Sequence, residues 1–279
     1  MALAAAALPA RAAPPPWIDA HTHAFVRGLK LAVDARYAPA YDASWETLLK
    51  LAEANGVGRT VLLQPSFLGY DNSYLFDALK AAPQRFRGVP WISPSVETRP
   101  EEWEEMARIG VRGLRFPIFG LPPPQWSAYQ EMLGEALKRD WPIHLYVESR
   151  RLPEMLPFLL DGGHKVVIPH YGMFDRTLGP ARDPGFKTLL ESARTGRVFV
   201  VMCGAYRVGP ERARQAAPML LDAFGLERLM WGSDWPHTDT NLNRVTTYPI
   251  TLRTFEDWVP DAAARRTILV DTPSKLYGF

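Results

Sequence analysis

The chain has 279 residues, of which 47% are hydrophobic and 22% charged, and its formal net charge at neutral pH is +2. This balance gives no reason to expect nucleic acid or an anionic membrane as a partner, and no apolar run is long enough for a transmembrane helix. The single cysteine, Cys203, excludes an internal disulfide framework and a cysteine-rich metal site. We expect a cytoplasmic protein with a small-molecule substrate. The composition is compatible with a homo-oligomer.

The first sixteen residues are rich in alanine and proline, and Arg11 is their one charged residue. The stretch Ala-Arg-Ala-Ala resembles a signal-peptide cleavage site, but no basic region precedes the short apolar part. The sequence therefore favours a disordered tail over residues 1–16 rather than an export signal, followed by one domain over residues 17–279.

Short apolar runs alternate with helical patterns along the rest of the chain. The first strand contains Ile18, and further strands are predicted over residues 59–65, 86–93, 111–117, 142–148, 165–171, 197–203 and from 229 onward. Helices are predicted over residues 44–52, 72–82, 101–109, 126–139, 152–160, 186–195, 211–224 and 262–270. Eight strands that alternate with helices predict parallel pairing and closure into a (β/α)8 TIM barrel, a single-domain α/β fold.

The longest irregular segments are predicted over residues 24–42, 172–183 and 238–257, after the first, sixth and eighth strands. Loops at the carboxyl ends of barrel strands commonly build or cover an active site. These three segments are therefore expected to surround the functional site.

Potential catalytic groups follow strands at both ends of the chain. His21 and His23 are two residues apart at the end of the first strand, so they are expected to point to the same face. Asp234 follows the apolar run of the last strand, where a barrel places reactive groups. Because the first and last strands of a closed barrel are neighbours, His21, His23 and Asp234 are predicted to converge.

These groups carry a family resemblance when His170, at the end of the sixth strand, is added. The motifs His21-Thr-His23, Ile-Pro-His170 and Trp-Gly-Ser-Asp234-Trp-Pro-His237 occur in the order seen in the amidohydrolase superfamily. In particular, the sequence resembles the amidohydrolase 2 branch, which contains 2-pyrone-4,6-dicarboxylate lactonase and sugar-lactone hydrolases. The resemblance runs from about residue 17 to residue 279. It implies a barrel hydrolase and a place in the degradation of aromatic compounds.

The fifth strand departs from the metal-binding pattern of this family. In metal-dependent members, the first-strand pair, histidines on the fifth and sixth strands and the eighth-strand acid serve one or two divalent cations. Here Tyr146 occupies the fifth-strand ligand position, and His144 lies deeper on the same strand face. The resemblance therefore implies catalysis without a metal cofactor, as in the pyrone-dicarboxylate lactonase.

A zinc-dependent decarboxylase or hydrolase on the same barrel remains the alternative, since three or four nitrogen and oxygen ligands suffice for zinc. The ligands in that case are His21, His23, His170 and Asp234.

Without a metal, side chains must carry the chemistry. Asp234 is predicted to act as the general base toward water, and a carboxylate among imidazoles should stay ionised. Such a weak base suits a lactone or related ester better than an amide. The carbonyl oxygen of the lactone is predicted to accept hydrogen bonds from positively charged imidazoles, those of His21, His23 and His170. The alternatives are a buried acid that caps a turn, or a binding barrel without catalysis.

Two arginines indicate a carboxylated substrate. Arg115, near the end of the fourth strand, and Arg207, after the seventh, match arginines that hold substrate carboxylates in the pyrone-dicarboxylate lactonase. Tyr146 and His237 are predicted as further substrate contacts. The alternative for each arginine is a surface salt bridge, and the alternative for His237 is a position in a surface turn. Two more arginines of that lactonase are replaced, one by Met173, which implies a less charged or more apolar substrate.

Overall fold

The computed structural model describes residues 16–238 and 246–279 of the chain. The predicted tail over residues 1–16 therefore lies almost entirely outside the described residues. The strands are β1 (Trp17–Thr22), β2 (Val57–Leu63), β3 (Phe86–Val89), β4 (Leu114–Pro117), β5 (Ile143–Tyr146), β6 (Val166–Ile168), β7 (Val198–Met202) and β8 (Leu229–Trp231). The helices are α1 (Trp45–Glu53), α2 (Ser73–Ala81), α3 (Pro100–Ile109), α4 (Gln130–Lys138), α5 (Leu152–Asp161), α6 (Pro184–Ser192), α7 (Ala205–Val208), α8 (Pro210–Phe224), α9 (Tyr248–Trp258), α10 (Ala262–Arg266) and α11 (Thr272–Tyr277).

Parallel pairing joins the strands in chain order into two sheets. The first sheet contains β1, β2 and β3, and the second contains the five strands from β4 through β8. At one seam, the backbone of Gly88 accepts from Arg112 over 2.9 Å and donates to Gly110 over 3.0 Å. At the other, Asp234 donates to the carbonyl of His21 and His23 donates to the carbonyl of Trp235, each over 2.9 Å. The two sheets thus close into the predicted (β/α)8 barrel.

The strands divide their side chains between two apolar clusters. Ile143 and Leu145 of β5 pack outward in the main core, against buried residues of the helices. Between them in sequence, His144 is buried and shares a hydrogen bond of 3.0 Å with the Tyr277 hydroxyl, and Tyr277 belongs to the second cluster, with Val167 of β6. This alternation is the period of two expected of a barrel strand, with helices outside and side chains filling the centre.

Helix α9 corrects one sequence-based prediction, because residues 238–257 were expected to be irregular. Pro249 lies in the first turn, and Tyr248, Leu252 and Phe255 are buried along one side of the helix. These spacings of four and three residues are those of an amphipathic helix, so the core contact stabilises it. No helix in the described part of the chain is both long enough and apolar enough to cross a lipid bilayer.

Candidate active site

The carboxylate of Asp234 is fully buried just beyond β8. Its Oδ2 atom accepts hydrogen bonds from the Tyr206 hydroxyl and from Nε of Arg207, each over 2.7 Å. Its Oδ1 atom has no hydrogen-bond partner among the described residues. One carboxylate oxygen is therefore fixed by the protein, while the other is available for chemistry.

Two imidazoles face the available oxygen. The Nε2 atoms of His21 and His23 each lie 3.7 Å from Oδ1 of Asp234, and the two rings stand nearly perpendicular with their centroids 5.1 Å apart. We call Oδ1 of Asp234 and these two Nε2 atoms the Asp234 cluster. The predicted convergence of the first-strand pair with the eighth-strand acid is thus found in the structure.

His170 lies beside this cluster, in the turn that follows β6. Its ring centroid is 4.8 Å from that of His21 and 5.0 Å from that of Tyr146. Its Nδ1 atom lies 3.2 Å from Sγ of Cys203, a buried residue directly after β7. The four residues predicted to be catalytic therefore occupy one site, and Cys203 is a neighbour that sequence reasoning assigned no role.

Burial makes these imidazoles neutral at physiological pH. It lowers the pKa of His23 and of His170 to about 3, and it holds the pKa of His21 well below its ordinary value. This differs from the prediction of positively charged donors, because a fully buried imidazolium loses its hydration. These rings act as neutral donors or acceptors.

Arg207 supplies the positive charge that the imidazoles lack. Burial is the largest single influence and raises the pKa of Asp234, but the adjacent Arg207 guanidinium, together with His170, His21 and His23, holds the pKa well below the usual range. The carboxylate is therefore ionised at neutral pH, and Arg207 is the largest of the effects that favour its charged form.

Two glycines make room for the reacting groups. Gly204 has a φ of +59°, and a Cβ there would lie 2.8 Å from Nδ1 of His170 and 2.9 Å from Oδ2 of Asp234. At Gly232, a Cβ would lie 2.6 Å from Cβ of His21. Any side chain at either position would displace a site residue, which explains why β7 and β8 both run into glycine.

Asp19 is a buried acid that the sequence analysis missed. Its Oδ1 atom accepts hydrogen bonds from the backbone of His21 over 3.2 Å and of Ser233 over 2.9 Å. Burial raises the pKa of this carboxyl to about 7. The sequence feature that could have indicated Asp19 is its position two residues before His21, on the same face of the strand. Asp19 thus connects the backbones on either side of the barrel seam and positions both His21 and Asp234.

A cavity of about 920 Å³ opens above these groups. Among its lining residues are His23, Arg115, Tyr146, His170 and Arg207. The fully buried His21 and Asp234 lie behind them.

Arg115 and Tyr146 form one wall of the cavity. The buried Arg115 guanidinium donates through Nη1 to the carbonyl of Gln64 and lies 6.0 Å from the Tyr146 ring centroid. Burial lowers the pKa of Arg115 to about 10, so the guanidinium is still charged at neutral pH. Tyr146 in turn stacks on Phe119 with ring centroids 5.2 Å apart. This wall combines one fixed cation with a flat aromatic surface.

The upper part of the cavity is more cationic than the sequence indicated. Arg36, Arg150 and Arg176 line it in addition to Arg115 and Arg207. These three arginines come from the loops after β1, β5 and β6, and their presence in the cavity was not predicted. The same cavity is also lined by Glu148, Asp175 and Asp183, and the expectation of a less charged substrate stays a prediction.

His237 lies in the turn that carries Asp234. Its Nε2 atom donates to the carbonyl of Ser233 over 3.1 Å, and its ring lies edge-on to Tyr206 with centroids 5.9 Å apart. It does not line the cavity. This imidazole supports the turn that carries Asp234, and a substrate contact by His237 stays a prediction.

A parallel barrel with a His-x-His pair after its first strand, a histidine after its sixth and an aspartate after its eighth defines an amidohydrolase-type enzyme. The sequence profile of the Amidohydrolase family (Amidohydro_2) matches residues 18–279, and the chain belongs to this family.

Individual relatives match this chain over nearly its whole length. A 4-sulfomuconolactone hydrolase from Hydrogenophaga intermedia is 30% identical over 95% of this chain and 89% of its own length. A 2-pyrone-4,6-dicarboxylate hydrolase from Comamonas testosteroni is 28% identical over 93% of this chain and 89% of its own. Among solved structures, a proposed 2-pyrone-4,6-dicarboxylic acid hydrolase from Pseudomonas putida is 37% identical with a TM-score of 0.85, covering 94% of this chain and 97% of its own.

Proposed function

We propose that this enzyme hydrolyses a lactone that carries at least one carboxylate or similar anionic group. The observation that carries the proposal is the ionised Asp234 carboxylate, whose Oδ1 atom has no hydrogen-bond partner among the described residues and lies behind an arginine-lined cavity. The named activities of the relatives from Hydrogenophaga intermedia and Comamonas testosteroni support it. We retain the predictions of a cytoplasmic enzyme and a small-molecule substrate.

In this proposal, Asp234 is the general base. The water oxygen forms a bond to the lactone carbonyl carbon while Oδ1 of Asp234 takes one of its protons. The bond between the carbonyl carbon and the ring oxygen then breaks, and the ring oxygen receives that proton, which gives an open-chain hydroxy acid. The low pKa of Asp234 makes it a weak base, so the proposal is for a lactone rather than an amide.

Two cations are placed to hold the anionic group of the substrate. Arg115 is buried in the cavity wall, and its Nε has no hydrogen-bond partner among the described residues. Arg207 lines the same cavity and is fixed through Nε to Asp234. A guanidinium matches a carboxylate or sulfonate through parallel hydrogen bonds. The structure of a relative from Acinetobacter baumannii, a probable 2-pyrone-4,6-dicarboxylic acid hydrolase, contains citric acid, which is consistent with a site for carboxylates.

The zinc-dependent alternative has one specific observation in its favour. The ligand atoms of His21, His23 and Asp234 all lie within 4.8 Å of one another, which fits a single divalent cation. His170 falls outside this set and groups instead with His21 and Cys203. Zinc held by the first three residues would lower the pKa of a bound water. We favour catalysis without metal because Arg207 already places a positive charge against Asp234, and because Tyr146 stands on the fifth strand.

The experiment combines elemental analysis with lactone hydrolysis. The purified enzyme is assayed on 2-pyrone-4,6-dicarboxylate and 4-sulfomuconolactone before and after dialysis against a chelator. We expect hydrolysis of at least one lactone, little bound metal, and activity that survives chelation. Bound zinc together with activity lost on chelation and restored by zinc would establish the alternative. Failure to open either lactone would contradict the proposal of an anionic lactone substrate.

A further inference from the structure

The imidazole of His23 is held in one tautomer by the backbone. Its Nδ1 atom lies 2.8 Å from the carbonyl oxygen of Leu63. A carbonyl oxygen has no hydrogen to donate, so Nδ1 must carry the ring proton. Because the buried ring is neutral, Nε2 then presents a lone pair, and this lone pair faces Oδ1 of Asp234 at 3.7 Å. Nε2 of His23 and Oδ1 of Asp234 are therefore both hydrogen-bond acceptors.

A hydrogen-bond donor can bridge two acceptors at this separation. A water molecule has two hydrogens and can donate one to each atom. Such a water would be held by Oδ1 of Asp234 and Nε2 of His23 at the same time. Its lone pairs would then be directed away from both, toward the carbon to be attacked.

The Nδ1 atom of His170 contacts a thiol, whereas the Nδ1 atom of His23 contacts a backbone carbonyl. Its Nδ1 atom lies 3.2 Å from Sγ of Cys203, and Sγ already accepts the backbone N–H of His170 at 3.4 Å. The buried thiol is neutral, and its one hydrogen needs an acceptor. Nδ1 of His170 lies within hydrogen-bond distance of Sγ, and the S–H group is assigned here as the donor to it. In a neutral ring this leaves the proton on Nε2, at the edge of the ring that lines the cavity.

We propose that His23 and His170 have opposite tautomers and opposite roles, and that Cys203 is the positioning residue that sets the tautomer of His170. His23 holds the attacking water as an acceptor beside Asp234, and His170 donates from Nε2 to the lactone carbonyl oxygen as negative charge develops there. This inference rests on the proposed lactone hydrolysis and assigns donor and acceptor within it.

The same assignment bears on metal binding. His23 keeps a lone pair on Nε2 and therefore fits a cation ligand, with its Nδ1–H bond to Leu63 as the outer partner usual for such ligands. A His170 ring protonated on Nε2 has no lone pair there. In this tautomer His170 does not ligate a cation through Nε2.

The direct test is nuclear magnetic resonance on the protein labelled at its histidine nitrogens. Long-range proton–nitrogen correlation spectra distinguish rings protonated on Nδ1 from rings protonated on Nε2. Spectra of His23→Gln and His170→Gln assign the two signals by their disappearance. We expect the Nδ1–H tautomer for His23 and the Nε2–H tautomer for His170. Any other pair of tautomers would overturn the proposal. This measurement needs no substrate, so its failure is distinct from a failure of the proposed activity.

The role of Cys203 is tested by matched substitutions. Cys203→Ser keeps a hydrogen that can be donated to Nδ1 of His170, whereas Cys203→Ala removes it. We expect the serine variant to keep the Nε2–H signal. The alanine variant should lose this tautomer preference, and its kcat on a hydrolysed lactone should fall about tenfold with little change in KM. An alanine variant with an unchanged His170 signal would show that Cys203 does not set the tautomer.

Discussion

Arg207 donates its Nε–H to Oδ2 of Asp234 over 2.7 Å, and this bond joins the predicted substrate anchor to the predicted base. The guanidinium is the largest of the effects that keep the carboxylate ionised in the free enzyme. A substrate carboxylate that approached Arg207 would offset part of this positive charge. Asp234 would then become more basic in the complex than in the free enzyme, so substrate binding and base strength are coupled through one side chain.

Replacing the base tests the central assignment. In Asp234→Asn, the amide oxygen still accepts from Tyr206 and Arg207, but no atom can take a proton from water. We expect kcat to fall by about 100- to 10,000-fold. The measurement is steady-state turnover on the best lactone substrate, with circular dichroism as the control for folding. A folded variant with wild-type turnover would rule out Asp234 as the base and leave the barrel without its assigned chemistry.

Replacing Arg207 should change the pH dependence of activity. The guanidinium depresses the pKa of Asp234, and activity requires the ionised carboxylate. Without the cation the pKa of Asp234 rises, so the acidic limb of the kcat/KM profile should move to higher pH in Arg207→Met. Arg207→Lys keeps a positive charge and should show a smaller movement. Superimposable acidic limbs for wild type and Arg207→Met would mean that another group controls the ionisation of Asp234.

Arg115 should act mainly on binding. Its guanidinium lines the cavity, and among the described residues its hydrogen-bond partner is the carbonyl of Gln64 rather than Asp234. Arg115→Met should raise KM for an anionic lactone by about tenfold or more, since hydrogen bonds to charged groups contribute about 1.5–3 kcal/mol. Arg108→Met, on the exposed surface of α3, is the matched control and should leave KM unchanged. Equal KM values for both variants would place the substrate anion elsewhere.

Asp19 should make stability depend on pH. Burial raises its pKa from 3.8 to about 7 in the folded protein, so the folded state binds more protons than the unfolded chain between these values. The resulting penalty is absent below pH 3.8, grows as the pH rises toward 7, and reaches roughly 4 kcal/mol above it.

The neutral variant Asp19→Asn removes this titration. We expect its free energy of unfolding, relative to wild type, to increase between about pH 4 and about pH 8. Urea unfolding at several pH values measures the difference. A constant difference across the range would show that Asp19 does not titrate on folding.

The sequence was most informative where a pattern was local. The alternation of strands and helices predicted the barrel, and the His-x-His pair with the eighth-strand acid predicted their convergence, because closed barrels bring the first and last strands together. The buried spacing of Tyr248, Leu252 and Phe255 also had the helical period, but it followed a long polar stretch and was not recognised as α9.

Other features depend on contacts that no local pattern contains. The bond between Arg207 and Asp234 joins two different strand ends, and the tautomer of His23 depends on a carbonyl of β2. The cations Arg150 and Arg176 reach the cavity through loop conformation alone. Sequence reasoning thus predicted which side chains come together but not their hydrogen-bond partners, and those partners bear on which groups donate and which accept.

The seam between β1 and β8 has a consequence for how this enzyme would fail under stress. Its hydrogen bonds are made by the backbones of His21, His23 and Asp234, the same residues that form the Asp234 cluster. A slight parting of these two strands would scatter the cluster while most of the core stayed packed. Heat inactivation would then precede the loss of helical signal, and turnover would be a more sensitive gauge of an intact barrel than any spectroscopic measure of secondary structure.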